Sequence, residues 1–140
     1  MKEKENQYGV KDASYNTAGK LEGITTLVKA FYTYMDTVTD AKNIRDMHPK
    51  DLEHSREKLT LFLCGWLGGP KLYQEKYGAI SIPGVHQSFP IGTTERDAWL
   101  SCMEMAIADQ DYPESFKTYL LKQLFIPADR VRVVCETKNG

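Results

Sequence analysis

HQSFPIGTTERDAWL, residues 86–100, carries a histidine on a short irregular element just ahead of a helix. His86 follows the Pro83-Gly84 break and precedes Phe89-Pro90, so its imidazole is held on a restricted backbone. Thr94 and Asp97 have the S/T-x-x-D/E spacing of a helix start, where a hydroxyl and a carboxylate satisfy orphan amides. Trp99 then falls on the apolar face of that helix. A held imidazole beside an indole is more often packing than chemistry, so the rest of the chain has to decide between the two.

Downstream, Trp99, Cys102, Met103 and Ala106 continue the helical period until Asp111 and Pro113 interrupt it. Phe116, Tyr119, Leu120 and Leu124 mark a last helix, which Pro127 is expected to end. Residues 128–140 are then a tail, whose Val131, Val133 and Val134 suit an extended segment. Upstream, Gly78 to Gly84 reads as a loop and Leu72 to Tyr77 as one or two helical turns. Before them, Pro49 opens a helix with the buried stripe Leu52, Ser55, Leu59, Phe62 and Trp66, extended by Leu63, and Gly68-Gly69-Pro70 stops it. Ala41 to Met47 allows a short helix. Ile24, Leu27, Val28, Phe31 and Met35 define a longer one, with Tyr32 and Tyr34 flanking its face. Tyr15 to Gly19 is a turn, and the residues before it form a polar, solvated extension with Cys135's tail as its counterpart at the other end. No repeat and no credible sheet is visible. The expectation is an all-α domain over 15–127, between an N-terminal extension (1–14) and a C-terminal tail (128–140).

Composition removes several functions. The chain has 140 residues and a formal net charge of −1, with Lys and Arg scattered, so neither nucleic acid nor an anionic membrane is an expected partner. No apolar run approaches the roughly 20 residues of a membrane span. MKEKENQYG lacks the apolar core of a secretion signal, and Cys64, Cys102 and Cys135 lack metal spacing, so reduced thiols in the cytoplasm are expected. Cys64 and Cys102 sit in apolar runs; Cys135, in a polar tail, is the one open to reaction. HExxH, CxxC, a phosphate-cradling loop and a nucleophile elbow are all missing. A haem pocket suits the residues better, since haem needs one axial imidazole, an apolar slot and distal groups matched to a ligand. His86 can be the axial ligand. Phe31, Leu59, Phe62, Leu63, Trp66, Phe89, Ile91 and Trp99 can line the slot, and Tyr32, His48 and Trp99 can supply O–H and N–H donors. Each also has a plain structural reading as core or surface.

Three blocks, FYTYMD (31–36), MHPKDLEHSREKLTLFLCGWLGGPKLYQEKYG (47–78) and HQSFPIGTTERDAWLSCM (86–103), resemble the truncated haemoglobins, and within them the bacterial group II or "O" class. The resemblance spans roughly residues 15 to 125. It implies a globin-like, two-over-two sandwich of helices around haem b, with diglycine breaks that Ala18-Gly19 matches in part and Gly68-Gly69 in full. It implies that His86 is the proximal iron ligand and Phe89 a ring contact beside it. By the same resemblance Tyr32 and Trp99 are distal hydrogen-bonding groups, Ser55 takes the place of the usual distal histidine, and Leu59 lies one turn further along. Lys58 matches a position that pairs with a haem propionate, with Arg56, Tyr73, Lys76 and Tyr77 as other anchors. Two positions depart from the family pattern. His48 stands where Phe or Tyr is usual, and can donate to the ligand or bind iron itself. Val85 replaces a basic neighbour of the proximal histidine.

The function this implies is reversible binding of O2, and of CO and NO, at haem iron. Converging donors would slow the release of a ligand that gathers negative charge. Slow release suits reactive-species chemistry, such as NO dioxygenation or a peroxidase-like reaction, with electrons from an external reductase. The alternatives are a non-enzymatic O2 carrier or gas sensor, with or without an internally six-coordinate haem, in a monomer or weak dimer.

Overall fold

The computed structural model describes residues 8–78 and 91–139, with side chains through Glu136. Seven α-helices and one 3-10 turn account for most of these residues, and no strand occurs among them. In order they are α1 (Ala13–Thr17), α2 (Lys20–Thr37), the 3-10 turn Thr39–Ala41, α3 (Lys42–Asp46), α4 (Glu53–Trp66), α5 (Leu72–Tyr77), α6 (Thr93–Ala108) and α7 (Glu114–Asn139). Helix α2 is the hub: it packs on α4 and on α6, and α6 packs in turn on α7. The faces brought together are those of the helical periodicity. Ile24, Leu27, Val28, Phe31 and Met35 of α2 meet Leu63 and Cys64 of α4, Cys102, Met103 and Ala106 of α6, and Phe116, Leu120 and Leu124 of α7 in one buried core. Tyr32 belongs to that buried face instead of merely flanking it.

The break after α4 shows why two glycines stand there. Gly68 has φ +94°, a left-handed conformation that only glycine adopts without strain. A Cβ on Gly68 would also lie 1.9 Å from the Lys11 carbonyl oxygen, and one on Gly69 would lie 2.5 Å from the Tyr15 ring. The N-terminal segment therefore lies directly against this corner, where the Tyr15 N–H donates to the Leu67 carbonyl at 3.0 Å. This amends the solvated extension. Within residues 8–14, the Tyr8 ring packs on Phe116 and Tyr119, its hydroxyl is 3.0 Å from Ser115 Oγ, and Ser14 is buried. Tyr15 to Gly19 likewise contains the end of a short helix before the turn.

Three further expectations are corrected. Pro49 does not open α4, which begins at Glu53. The Arg45 guanidinium occupies the carbonyls of Pro49 and Lys50, the acceptors a helix starting there would offer to Glu53 and His54, and the Glu53 N–H turns instead to Asp51 Oδ1. Helix α6 begins at Thr93, so Thr94 and Asp97 are not its capping pair. Glu95 reaches back to the Gly92 N–H at 2.8 Å, and Asp97 pairs with Arg96.

Pro127 does not end the last helix, and the tail is helical, not extended. Proline removes one backbone bond, but the next two turns are held from the side. Val131 and Cys135 are buried. Asp129 bridges Arg96 of α6 and Arg132 at 2.8 and 2.7 Å, and Arg132 also holds Glu136. Cys135 is only 1 % exposed, so it is a buried thiol and not a reactive one in a polar tail. No described helix is long and apolar enough to cross a membrane.

Candidate functional site

Tyr32, Phe31, His48 and Trp99 form one aromatic cluster where α2, the end of α3 and α6 meet. Phe31 is fully buried and stands edge-on both to Tyr32 (centroids 4.9 Å) and to the Trp99 indole (5.1 Å). Tyr32 in turn meets the His48 ring edge-on, 5.7 Å away and at 77°. Phe31 is thus the ring that touches both, the phenol from its own helix and the indole from α6. The Trp99 ring is half-buried, so its periphery reaches the edge of the core.

Burial raises the Tyr32 phenol far above the usual tyrosine range, against a smaller lowering by the charge of Arg56. A buried phenol has little solvent to stabilise a phenolate. Tyr32 therefore keeps its proton and is a hydrogen-bond donor throughout the physiological pH range. His48 is fixed at its other nitrogen. Nδ1 lies 2.7 Å from the Ile44 carbonyl oxygen. A carbonyl only accepts, so Nδ1 carries the proton, and in the neutral ring Nε2 holds the lone pair.

Helix α4 has two different faces. Thr60, Leu63 and Cys64 are buried on the core side. Ser55, Leu59, Phe62 and Trp66 form the adjoining stripe at the edge of the core and are only partly covered, with Phe62 and Trp66 stacked at 6.4 Å and 26°. An apolar stripe left partly open, next to a buried phenol and an indole, is the surface a flat apolar macrocycle requires, so the residues present fit haem. Leu63, one turn beyond Leu59, extends the stripe toward the buried core. Ile91 is half-buried at the approach to α6.

Among the expected propionate anchors, Lys58 and Tyr73 come together through Tyr77. Lys58 Nζ and Lys76 Nζ each lie 5.5 Å from the Tyr77 ring, and Tyr73 packs on that ring at 5.0 Å. Glu57 joins them, accepting from Lys76 Nζ at 2.8 Å and from the Tyr77 hydroxyl. Arg56 is exposed and two positions from Lys58, on the other side of α4, where its charge is felt at Tyr32. His86, Phe89 and Val85 lie outside the described residues. No cluster of His, Cys, Asp and Glu fit to hold a metal ion by itself occurs among the described residues.

Reading the sequence missed Arg45. Its guanidinium donates to Asp36 Oδ1, the Pro49 carbonyl and the Lys50 carbonyl at 2.9, 3.0 and 2.9 Å, bracing the turn that carries His48. Nothing periodic links residues 36, 45, 49 and 50, so no local signal could have found it.

Comparison with known proteins bears on this arrangement. Residues 13–131 match the family model described as "Bacterial-like globin". The Group 2 truncated hemoglobin YjbI of Bacillus subtilis (strain 168) is 32% identical over 117 residues, covering 84% of this chain and 86% of that protein. The group II 2-on-2 hemoglobin of Agrobacterium tumefaciens superposes with a TM-score of 0.80 at 32% identity, over 84% of this chain and 92% of its own. The truncated oxygen-avid haemoglobin of Bacillus subtilis does so with a TM-score of 0.76 at 31% identity, over 84% and 97%.

Proposed function

This chain belongs to the bacterial-like globin family, and on that premise we propose that Tyr32, Trp99 and His48 form a distal pocket that holds a gas ligand tightly. The fold is the two-over-two sandwich of the group II truncated haemoglobins. Its cofactor is haem b, whose iron, when bound, supplies reversible binding of O2. The further assignments concern this chain's own side chains. His86 would be the iron ligand and Phe89 a haem-pocket residue beside it, both assigned from the sequence blocks alone. The partly open α4 stripe, Ser55, Leu59, Phe62 and Trp66, is one wall of the slot, and Phe31 and Ile91 complete it. Lys58 and Tyr73 hold a propionate, and the position of Arg56 on the other side of α4 argues against its sharing that task.

The observation that carries the proposal is the convergence of a buried, protonated phenol with an indole through Phe31. Two preorganised donors in a site of low dielectric favour a ligand that gathers negative charge, and they slow its departure. Slow release favours turnover of reactive oxygen or nitrogen species over bulk transport. The proposal is therefore NO dioxygenation or a peroxidase-like reaction, in the cytoplasm, by a monomer or weak dimer supplied with electrons by a separate reductase. CO and NO are taken at the same place as O2.

The protonated Nδ1 of His48 supports a second reading. In a neutral ring whose Nδ1–H is donated to the Ile44 carbonyl, Nε2 is the accepting nitrogen and not a donor. In that tautomer His48 would reach iron only through Nε2, the internally six-coordinate alternative, and would not donate to the ligand. Optical spectra of the haem-loaded protein test both readings. A high-spin ferric spectrum means an open sixth position, and a low-spin one means that a side chain occupies it and must be displaced. If His86→Ala retained a normal Soret band and ferrous spectrum without added imidazole, the proximal assignment would be wrong.

A further inference from the structure

We propose that Arg45 is a positioning residue for the distal pocket: it holds the turn around His48 and so fixes how the imidazole stands against Tyr32. The inference rests on the distal role assigned above to the Tyr32 and His48 cluster. The Arg45 side chain is 19 % exposed, and three of its donors go to three different acceptors. The Pro49 and Lys50 carbonyls receive Nη1 and Nη2 at 3.0 and 2.9 Å. The Arg45 carbonyl accepts the His48 N–H at 3.0 Å. One residue therefore grips the backbone at His48 from its main chain and the two residues after it from its side chain.

The remaining freedom of His48 is taken up by Ile44, whose carbonyl receives both the Met47 N–H at 3.2 Å and His48 Nδ1 at 2.7 Å. Pro49 also narrows the backbone choices of His48. If the guanidinium let go, the turn would lose its brace, and the 2.7 Å approach of Nδ1 to the Ile44 carbonyl that fixes the proton would loosen with it. The fork geometry of arginine suits this task, because one planar group reaches two successive carbonyls and a carboxylate at once.

The third acceptor links the brace to the other half of the pocket. Asp36 Oδ1 takes Arg45 Nε at 2.9 Å. Asp36 is one turn beyond Tyr32 on α2, so the two side chains leave the same face of that helix. The Asp36–Arg45 pair thus ties the turn carrying His48 to the helix carrying Tyr32, one helical turn from where the two rings meet at 5.7 Å. Arg45 sets the register between them.

The test uses the haem-loaded, CO-bound ferrous protein, which is diamagnetic, and reads the imidazole nitrogens of His48 by two-bond nitrogen–proton correlation. In the wild-type protein Nδ1 is expected as the protonated, pyrrole-type nitrogen and Nε2 as the pyridine-type one; the opposite pattern overturns the proposal without any variant. Arg45→Met is expected to mix the two tautomers and to change the O2 dissociation rate about 2- to 150-fold, the range of couplings within one hydrogen-bonded network. In a His48→Phe background the same substitution is expected to leave that rate unchanged. Equal effects in both backgrounds, or none in either, overturn the role of Arg45. Arg45→Lys keeps the charge for Asp36 without the fork and is expected to fall between wild type and Arg45→Met, which covers the case in which the methionine variant folds poorly. Tyr32→Phe separates the two levels. A Tyr32-sensitive rate with a silent Arg45→Met refutes the positioning role alone, whereas a rate indifferent to Tyr32→Phe refutes the distal pocket itself.

Discussion

Replacing Tyr32 by Phe removes one oxygen atom from the cluster and leaves its packing in place. The ring keeps its edge contacts with Phe31 at 4.9 Å and His48 at 5.7 Å, so no cavity opens. With only 6 % of the residue exposed, bulk water is a poor substitute for the lost hydroxyl. Burial also keeps that hydroxyl protonated, so what disappears is a donor and not a charge. A hydrogen bond to a partner gathering charge contributes about 1.5–3 kcal/mol. At about 1.4 kcal/mol per factor of ten, the O2 dissociation rate should rise about 10- to 150-fold. Trp99 shares the load through Phe31, which places the expected value toward the lower end. Stopped-flow displacement of O2 by CO measures it, and CO association serves as the control for pocket access. A Tyr32→Phe rate within about twofold of wild type would refute the donor role, because it would put the hydroxyl's contribution below the smallest net hydrogen bond.

Acid should weaken the clamp between α6 and α7. Hydrogen bonds from Arg132 and then Arg96 hold the Asp129 carboxyl below its usual range. A lowered folded-state value means that its stabilisation is present above the unfolded value, about 4, and is lost as pH falls through the folded one. Asp129→Asn should therefore lower the Tm at pH 7, with the difference from wild type shrinking below about pH 4; a pH-independent difference in scanning calorimetry would show that the charge is not what matters. Thiol chemistry offers an independent check on burial. Cys64, Cys102 and Cys135 are all buried, and burial pushes the first two thiols up, so Ellman's reagent should react far more slowly in the native state than after denaturation. Rapid native labelling of Cys135 would contradict a tail helix packed through that residue.

Much of the helix content was legible because its signal is local. Ile24, Leu27, Val28, Phe31 and Met35 repeat at the helical period whatever packs on them, and all five are buried. Gly68-Gly69-Pro70 stops α4 by backbone chemistry alone. The boundaries that went wrong are those decided by side-chain contacts that propensity and period do not register. Pro49 is a good helix opener by itself, and it fails here because a guanidinium four residues upstream takes its carbonyl. Pro127 is a good helix breaker, and it fails because Asp129 and Cys135 are held by side chains and burial that no local window contains.

The candidate site divides in the same way. Tyr32, Trp99 and the stripe of α4 could be named from the order of residues, since each owes its place to a periodic face or a motif within one block. His86 and Phe89 rest on the sequence blocks alone. What only the tertiary structure decided is how those residues are disposed toward one another: that Phe31 touches both the phenol and the indole, that the Ile44 carbonyl accepts from His48 Nδ1, and that Arg56 stands apart from Lys58. These depend on hydrogen bonds and ring contacts between separate elements. The chain order determines which faces are apolar and where helices can form, because propensity and periodicity act over a few residues. Proton positions and the register of a pocket arise only where distant segments meet.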